Sequence, residues 1–243
     1  MVRTQLADDK SSATRRLYHR IRSRLPGGSP AEYYRDPAGY WEQRHARFGE
    51  RLDGVGRKGL GEEGNSLDYE TKWAHIRRAL VDVGITPGPF LDAGCGIGWF
   101  SQHLQAEGYT PTGVDFSPSA VEIARRQLGD AAVEVGSLDT YQSGRTFDLV
   151  ICIDVLFHLV DDQIWQATVT NLSGQVTSGG HLVIQESLVE RPADVGSSTV
   201  QHTRWRSLGN YTAVLAGWEL VLHDHYRLPA EDADKDLLVF RRP

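Results

Sequence analysis

The run FLDAGCGIGWF at residues 90–100 holds the residue types best suited to chemistry. An acid, Asp92, is followed by Gly94, Gly96 and Gly98 at alternate positions and then by a helix-like segment. Glycines lack a Cβ, so the chain can leave a strand tightly and bring backbone N–H groups close to a ligand, with a helix N-terminus beyond. That arrangement suits a nucleotide-like ligand. The GxGxxG fingerprint of pyrophosphate cofactors needs a glycine at 99, where Trp99 stands, so a dinucleotide is disfavoured. The same glycines also serve a plain strand-to-helix turn, and other residues must decide between the two uses. Asp115 is the first of these: it ends Gly113-Val114-Asp115, and a carboxylate at a strand tip accepts both hydrogen bonds of a ribose diol.

A second group lies in FDLVICIDVLFHLVDD, residues 147–162. The apolar run through Ile153 reads as a buried strand, so Asp154 falls at its C-terminal edge, where open α/β sheets bind ligands. His158 follows just beyond and has three uses open to it: a neutral base taking a proton from an oxygen or nitrogen, a holder of substrate, or a ring packed under a cap. Glu186 ends a later apolar run and is expected to face the same crevice. Tyr69 and Trp73 open a helical stripe, which serves either a substrate pocket or the core. Asp154, His158 and Glu186 do not form a recognised metal-ligand pattern, and no metal is expected. Arg204, Trp205 and Arg206 serve either to meet an acidic substrate or, as the default reading, as a solvated turn before the Ser207 helix.

Positioning these groups requires a sheet. Residues 89–186 alternate short apolar runs with helical segments, as βαβ units do, with strands expected at 89–92, 110–115, 132–135, 147–153 and 180–186. Ser117 followed by Pro118 is a good N-cap and first-turn pair, and Asp161 and Asp162 start the next helix. Trp73, Ile76, Leu80 and Val83 predict an amphipathic helix over Tyr69–Val83, stopped by Gly84 and Pro87. A helix over Ser207–Ala216 and strands at 218–228 and 236–241, joined by PAEDADKD, close the sheet with a hairpin. Residues 1–30 are charged and Ser-rich, implying a flexible start, and 31–68 are aromatic and Gly-dense, implying an irregular cap. The division expected is a cap over 1–68 and a main domain over 69–243.

At 243 residues and 40% hydrophobic content, the chain can bury a full core. Lys+Arg number 26 against 32 Asp+Glu, a net charge of −6, so there is no basic excess with which to grip nucleic acid. Cys95 and Cys152 stand alone, without a CxxC or Cys/His cluster, which argues against disulfides and structural zinc. No apolar run approaches membrane-spanning length, and the charged start does not read as a signal peptide. A cytoplasmic protein with no membrane partner is expected.

With these features in place, the chain resembles the class I S-adenosylmethionine-dependent methyltransferases of small molecules over about residues 70–243. The resemblance rests on an acid before GxGxG and another ending the second strand, here Asp92, Gly94, Gly96, Gly98 and Asp115. It implies an α/β, Rossmann-like seven-stranded sheet flanked by helices, mostly parallel with the last strand antiparallel, under an N-terminal cap. It implies S-adenosylmethionine as cofactor and S-adenosylhomocysteine as product, with Gly94 and Gly96 bordering the methionine part, Asp115 holding the ribose and Phe116 beside the adenine. The segment VEVGSLDTY (133–141) is similar to the family's adenine frame, which assigns Ser137 and Leu138 to that contact; as simple loop polarity, Ser137 and Asp139 need no ligand. Trp41, Arg44 and His45, in YWEQRH, resemble the cap that closes over the cofactor, with Trp41, His45, Tyr69 and Glu186 on the acceptor side and Asp154 near the transferred methyl.

The implied activity is methyl transfer to an oxygen, nitrogen or carbon nucleophile of a small molecule, in the manner of natural-product biosynthesis, with His158 the catalytic base for a hydroxyl acceptor. IDVL (153–156) stands where many methylators of bases and protein side chains carry Asn/Asp-Pro-Pro-Tyr, which favours a small acceptor. Two other readings stay open: the same fold catalysing a cyclisation or rearrangement, and a cofactor-binding module without catalysis. A homodimer is compatible with either.

Overall fold

A computed structural model describes residues 36–129, 133–190 and 203–243. The flexible start expected over 1–30, the aromatics Tyr33 and Tyr34, and most of the loop at 191–204 lie outside the described residues.

The central sheet has seven strands, β1 Pro89–Ala93, β2 Thr110–Asp115, β3 Val133–Val135, β4 Phe147–Ile153, β5 Val176–Glu186, β6 Glu219–Leu228 and β7 Ala233–Arg241. Their order is β3-β2-β1-β4-β5-β7-β6. Pairings among β1 to β5 are parallel, and β7 runs antiparallel to both β5 and β6. The expected mostly parallel sheet with an antiparallel last strand is thus what forms. β4 is buried at every position but Asp148, as a parallel strand covered on both faces must be. The strand order reverses between β1 and β4, so the crevice at their C-terminal ends is the topological switch point where such sheets take ligands.

Helices cover both faces: α1 Pro37–Phe48, α2 Gly61–Val83, α3 Trp99–Ala106, α4 Pro118–Leu128, α5 Asp162–Gly174 and α6 Leu208–Val214. One core joins Ile76 and Leu80 of α2 and Leu104 of α3 to Phe90 and Ile151 of the sheet. A second joins Trp165 and Leu172 of α5 and Tyr211 of α6 to Val150 and Leu182, and a third sets Val121, Ala124 and Leu128 of α4 against Cys95 and Val133. The predicted caps form. Ser117 accepts from the Ala120 N–H at 3.2 Å, and Asp161 accepts from the N–H groups of Gln163 and Ile164 at 2.8 and 3.1 Å.

Four expectations need correction, the first being the solvated turn: Arg206 is buried there, donating to the Leu159 carbonyl at 2.8 Å and to Asp162 at 3.0 Å. The helix predicted from Tyr69 already starts at Gly61, because its first turns bury polar groups: Asn65 accepts the Arg57 N–H at 2.7 Å, and Asp68 accepts those of Ala230 and Glu231 at 2.8 and 2.9 Å. A search for apolar periodicity cannot see such a face. The stretch expected to be irregular contains a helix, α1, capped by Asp36, whose buried residues are Arg44 and His45. β5 and β7 extend further than their apolar runs: Val176 pairs with Phe147 ahead of Gly179 and Gly180, and the charged residues Asp234 and Lys235 pair with Arg227 and Tyr226.

Candidate active site

The turn after β1 is built from left-handed backbone. Gly94, Gly96 and Gly98 have φ of +79°, +52° and +83°. A Cβ on Gly94 would lie 2.5 Å from Val155 Cγ2, and one on Gly96 would lie 3.1 Å from Val55 Cγ1. The turn is therefore pressed between the segment leaving β4 and the loop beneath the cap. Gly96 donates its N–H to Asp115 Oδ2 at 3.0 Å, and Ser117 donates its own to Oδ1 at 2.9 Å. Both oxygens keep a second lone pair for another donor. Burial, offset by these N–H groups, pushes the Asp115 carboxyl up to about 6. Asp92 is buried deeper in the turn and accepts from the Ser101 hydroxyl at 2.7 Å; burial pushes it up to about 7.

Phe116, beside Asp115, is 39% exposed at the rim of the crevice. Ser137 donates its hydroxyl to Asp139 at 2.5 Å, and the Leu138 carbonyl accepts from Asn171 at 2.9 Å.

The cap docks on the same strand tip. Glu42, on α1, accepts from the Ser117 hydroxyl at 2.6 Å, from the Ser119 N–H at 3.1 Å and from the Ser119 hydroxyl at 2.5 Å. Its carboxylate thus caps the N-terminus of α4. Against the effect of burial, these serine bonds hold it below the ordinary range. Buried Arg44 donates to the carbonyls of Asp53 and Gly56 and lies over the Trp41 ring at 5.0 Å, fixing the loop that bears Val55. His45 is buried, and burial together with the Arg44 charge lowers it to about 4, so it is neutral at pH 7. The Trp41 ring meets His158 edge-on at 4.9 Å and His45 at 5.7 Å, which brings three of the expected residues into one aromatic cluster.

His158 ends a short 3-10 turn, Leu156–His158, just past β4. Glu186 sets that turn. It is fully buried, and its two carboxylate oxygens accept the N–H groups of Leu156 and Phe157 at 2.8 and 3.0 Å. Burial first, then the nearby Asp154 charge, pushes it up to about 8. Expected at the acceptor, Glu186 instead supports the backbone that carries His158.

Asp154 takes a left-handed φ of +56°, a conformation Asp tolerates better than most residues. Its carboxylate meets Lys72 Nζ of α2 at 2.6 Å and Lys235 Nζ of β7 at 2.6 Å. Burial would raise its pKa, but the two ammonium groups hold it well below the carboxylate range. Tyr69 lies under this group, its ring 4.5 Å from Lys72 Nζ and stacked on Phe100 at 5.3 Å, so it packs in the core.

Glu42, Lys72 and Lys235 were not foreseen from the sequence. The signal for the lysines was present: Lys72 shares the helical stripe of Tyr69 and Ile76, and Lys235 alternates with Leu237 and Val239 along a buried strand face. No described helix is long and apolar enough to cross a membrane.

Residues 66–231 match the family described as methyltransferase domain. Among curated relatives, the chain is 31% identical over 98 residues to the ubiquinone biosynthesis O-methyltransferase of Rickettsia felis, covering 39% of each chain. It is 26% identical over 127 residues to the dTDP-3-amino-3,6-dideoxy-alpha-D-glucopyranose N,N-dimethyltransferase of Streptomyces fradiae, covering 52% of this chain and 50% of that one. The chain spans half or less of the length of these relatives. Among solved structures, the magnesium protoporphyrin IX methyltransferase of Synechocystis PCC 6803 with bound S-adenosylmethionine shares the fold at a TM-score of 0.66 and 18% identity, covering 85% of this chain and 95% of that one. A glycine cradle and strand-tip acid at the switch point, together with a family match that covers most of the chain, lead to one conclusion: this chain belongs to the methyltransferase-domain family.

Proposed function

We propose that the chain transfers a methyl group from S-adenosylmethionine to an oxygen or nitrogen of a small molecule. The observation that carries this reading is the Asp115 carboxylate, held by the Gly96 and Ser117 N–H groups beside a glycine turn that has no room for a Cβ at Gly94. That carboxylate acceptor suits a ribose diol, and the turn suits the methionine part of the cofactor, with Asp92, Gly94, Gly96, Asp115, Phe116, Ser137, Leu138 and Asp154 as the contacts. S-adenosylmethionine supplies, when bound, a methyl carbon already made electrophilic by its sulfonium. The protein then needs to align the nucleophile and exclude water, and alignment alone removes on the order of 7–11 kcal/mol at the upper end.

In this reading Trp41 and His45 close the acceptor side through the aromatic cluster around His158. For a hydroxyl acceptor, His158 takes the proton as the oxygen attacks; for an amine, desolvation of the lone pair suffices. The O- and N-methylating relatives support both kinds of acceptor. A role in natural-product biosynthesis follows the same resemblance. The test is incubation with S-adenosylmethionine and a panel of small phenols, acids and amines, read by mass spectrometry. Acceptors should gain one methyl as S-adenosylhomocysteine forms; binding of the cofactor with no methylated product and no S-adenosylhomocysteine would contradict the reading.

A further inference from the structure

The tip of β4 carries an excess of buried positive charge that the methyl-transfer chemistry does not require. Lys72 and Lys235 reach it from opposite elements, α2 and β7, and both side chains are only 6% exposed. They share one carboxylate, Asp154, which is the partly exposed member of the group at 20%. An ammonium has three donors. Each lysine places one on Asp154, and its other neighbours are ring faces: Tyr69 at 4.5 Å from Lys72 and Phe157 at 5.0 Å from Lys235. Among the described residues neither ammonium has a second oxygen partner. Buried cations left short of acceptors are costly, and buried polar groups are normally paired.

The surroundings do not cancel the charge. Glu186, a buried acid within electrostatic reach of Lys235, is committed to the N–H groups of Leu156 and Phe157, and burial pushes its carboxyl up to about 8. Gln185 donates weakly to Asp154 at 3.4 Å and leaves its own buried carbonyl oxygen unpartnered, as does the buried hydroxyl of Tyr226 on the strand position opposite Lys235. Two cations against one anion therefore stand in an incompletely satisfied polar group at the switch point, directly before the turn that carries His158.

We infer that Lys72 and Lys235 form an anion-recognising subsite and that the methyl acceptor carries a carboxylate, bound by the donors the two ammonium groups have left, with Asp154 fixing their positions. This inference rests on the methyl-transfer reading. A cationic sulfonium in the same crevice adds to the positive field, so an acid-bearing acceptor is favoured over its neutral analogue by both.

The test uses the whole chain saturated with S-adenosylhomocysteine and matched probes: benzoate, phenylacetate and 4-hydroxybenzoate against their amides, titrated by calorimetry. The acids should bind at least about 30-fold more tightly than the amides, the low end of the range seen when a buried charge loses its partner. Lys72→Met and Lys235→Met should each erase that preference. Each variant leaves Asp154 one lysine, and a cooperative melting transition checks that it folds. Acids that bind no better than their amides to the wild-type chain overturn the subsite, as does a preference that survives in either variant. A parallel loss of S-adenosylmethionine affinity in the variants would assign the lysines to the cofactor's own carboxylate and overturn it too. A wild-type chain that does not bind S-adenosylmethionine at all would instead defeat the methyl-transfer reading, so the two failures are distinguishable.

Discussion

Asp115→Asn is the most informative single change. The replacement is isosteric, but it removes the charge and turns one acceptor oxygen into an NH2 group. Asp115 is 6% exposed and takes N–H donors from Gly96 at 3.0 Å and Ser117 at 2.9 Å, so in the variant one of these buried donors faces another donor. A hydrogen bond to a charged group contributes about 1.5–3 kcal/mol, and a buried donor left unmatched costs about 1–3 kcal/mol. The ribose diol loses a charge-assisted acceptor as well. Some of this cost falls equally on the free protein, which leaves about 2–4 kcal/mol for binding, or roughly 30- to 700-fold in affinity. Calorimetric titration with S-adenosylmethionine measures it, with a melting curve to confirm the fold.

The pH dependence gives a second readout on the same residue. Burial raises the Asp115 carboxyl to about 6 in the free protein, so the ionised acceptor is lost as pH falls through that value. Wild-type affinity should weaken on acidification between pH 7 and 5, while the Asn variant stays flat. Affinity within threefold of wild type, with the same pH profile, would refute the placement of the ribose at Asp115.

His158→Ala should lower turnover of a hydroxyl acceptor by about 100-fold or more, the low end for a positioned general base, with cofactor affinity unchanged; a fully active variant removes His158 from the chemistry. Glu42→Ala deletes three bonds to Ser117 and Ser119 and should cost about 1–2 kcal/mol of stability, as a lost helix cap does, while speeding cofactor release. Stopped-flow dissociation no faster than wild type would mean the cap does not hold the cofactor. Asp92 has its folded carboxyl pushed up to about 7, so folding favours its protonated form. Its contribution is most favourable below pH 4 and declines as pH rises from about 4 to 7. Asp92→Asn should therefore flatten that decline in a melting-temperature series, and an unchanged slope would contradict it.

The parts of the fold legible in the sequence are those set by local rules. The glycine turn, the Ser117-Pro118 and Asp161 caps and the buried strand ending at Ile153 each follow from a few adjacent residues, and each forms as expected. What was not legible depends on polar groups meeting across the chain. Apolar periodicity locates helix faces by their hydrophobes, so it missed the first turns of α2, whose buried face is Asn65, Asp68 and Lys72. It missed α1 for the same reason, since Arg44 and His45 are its buried residues. Glu42 was invisible because its partners, Ser117 and Ser119, are far away in sequence. Glu186 was placed correctly at the end of β5, but its partners are the backbone of a turn that could not be positioned beforehand.

The most direct test of S-adenosylmethionine-dependent methyl transfer is calorimetric titration of the whole chain with S-adenosylmethionine and, separately, with NAD. The expected result is one-to-one micromolar binding of S-adenosylmethionine and no heat from NAD. Binding of NAD, or of neither ligand, would contradict it.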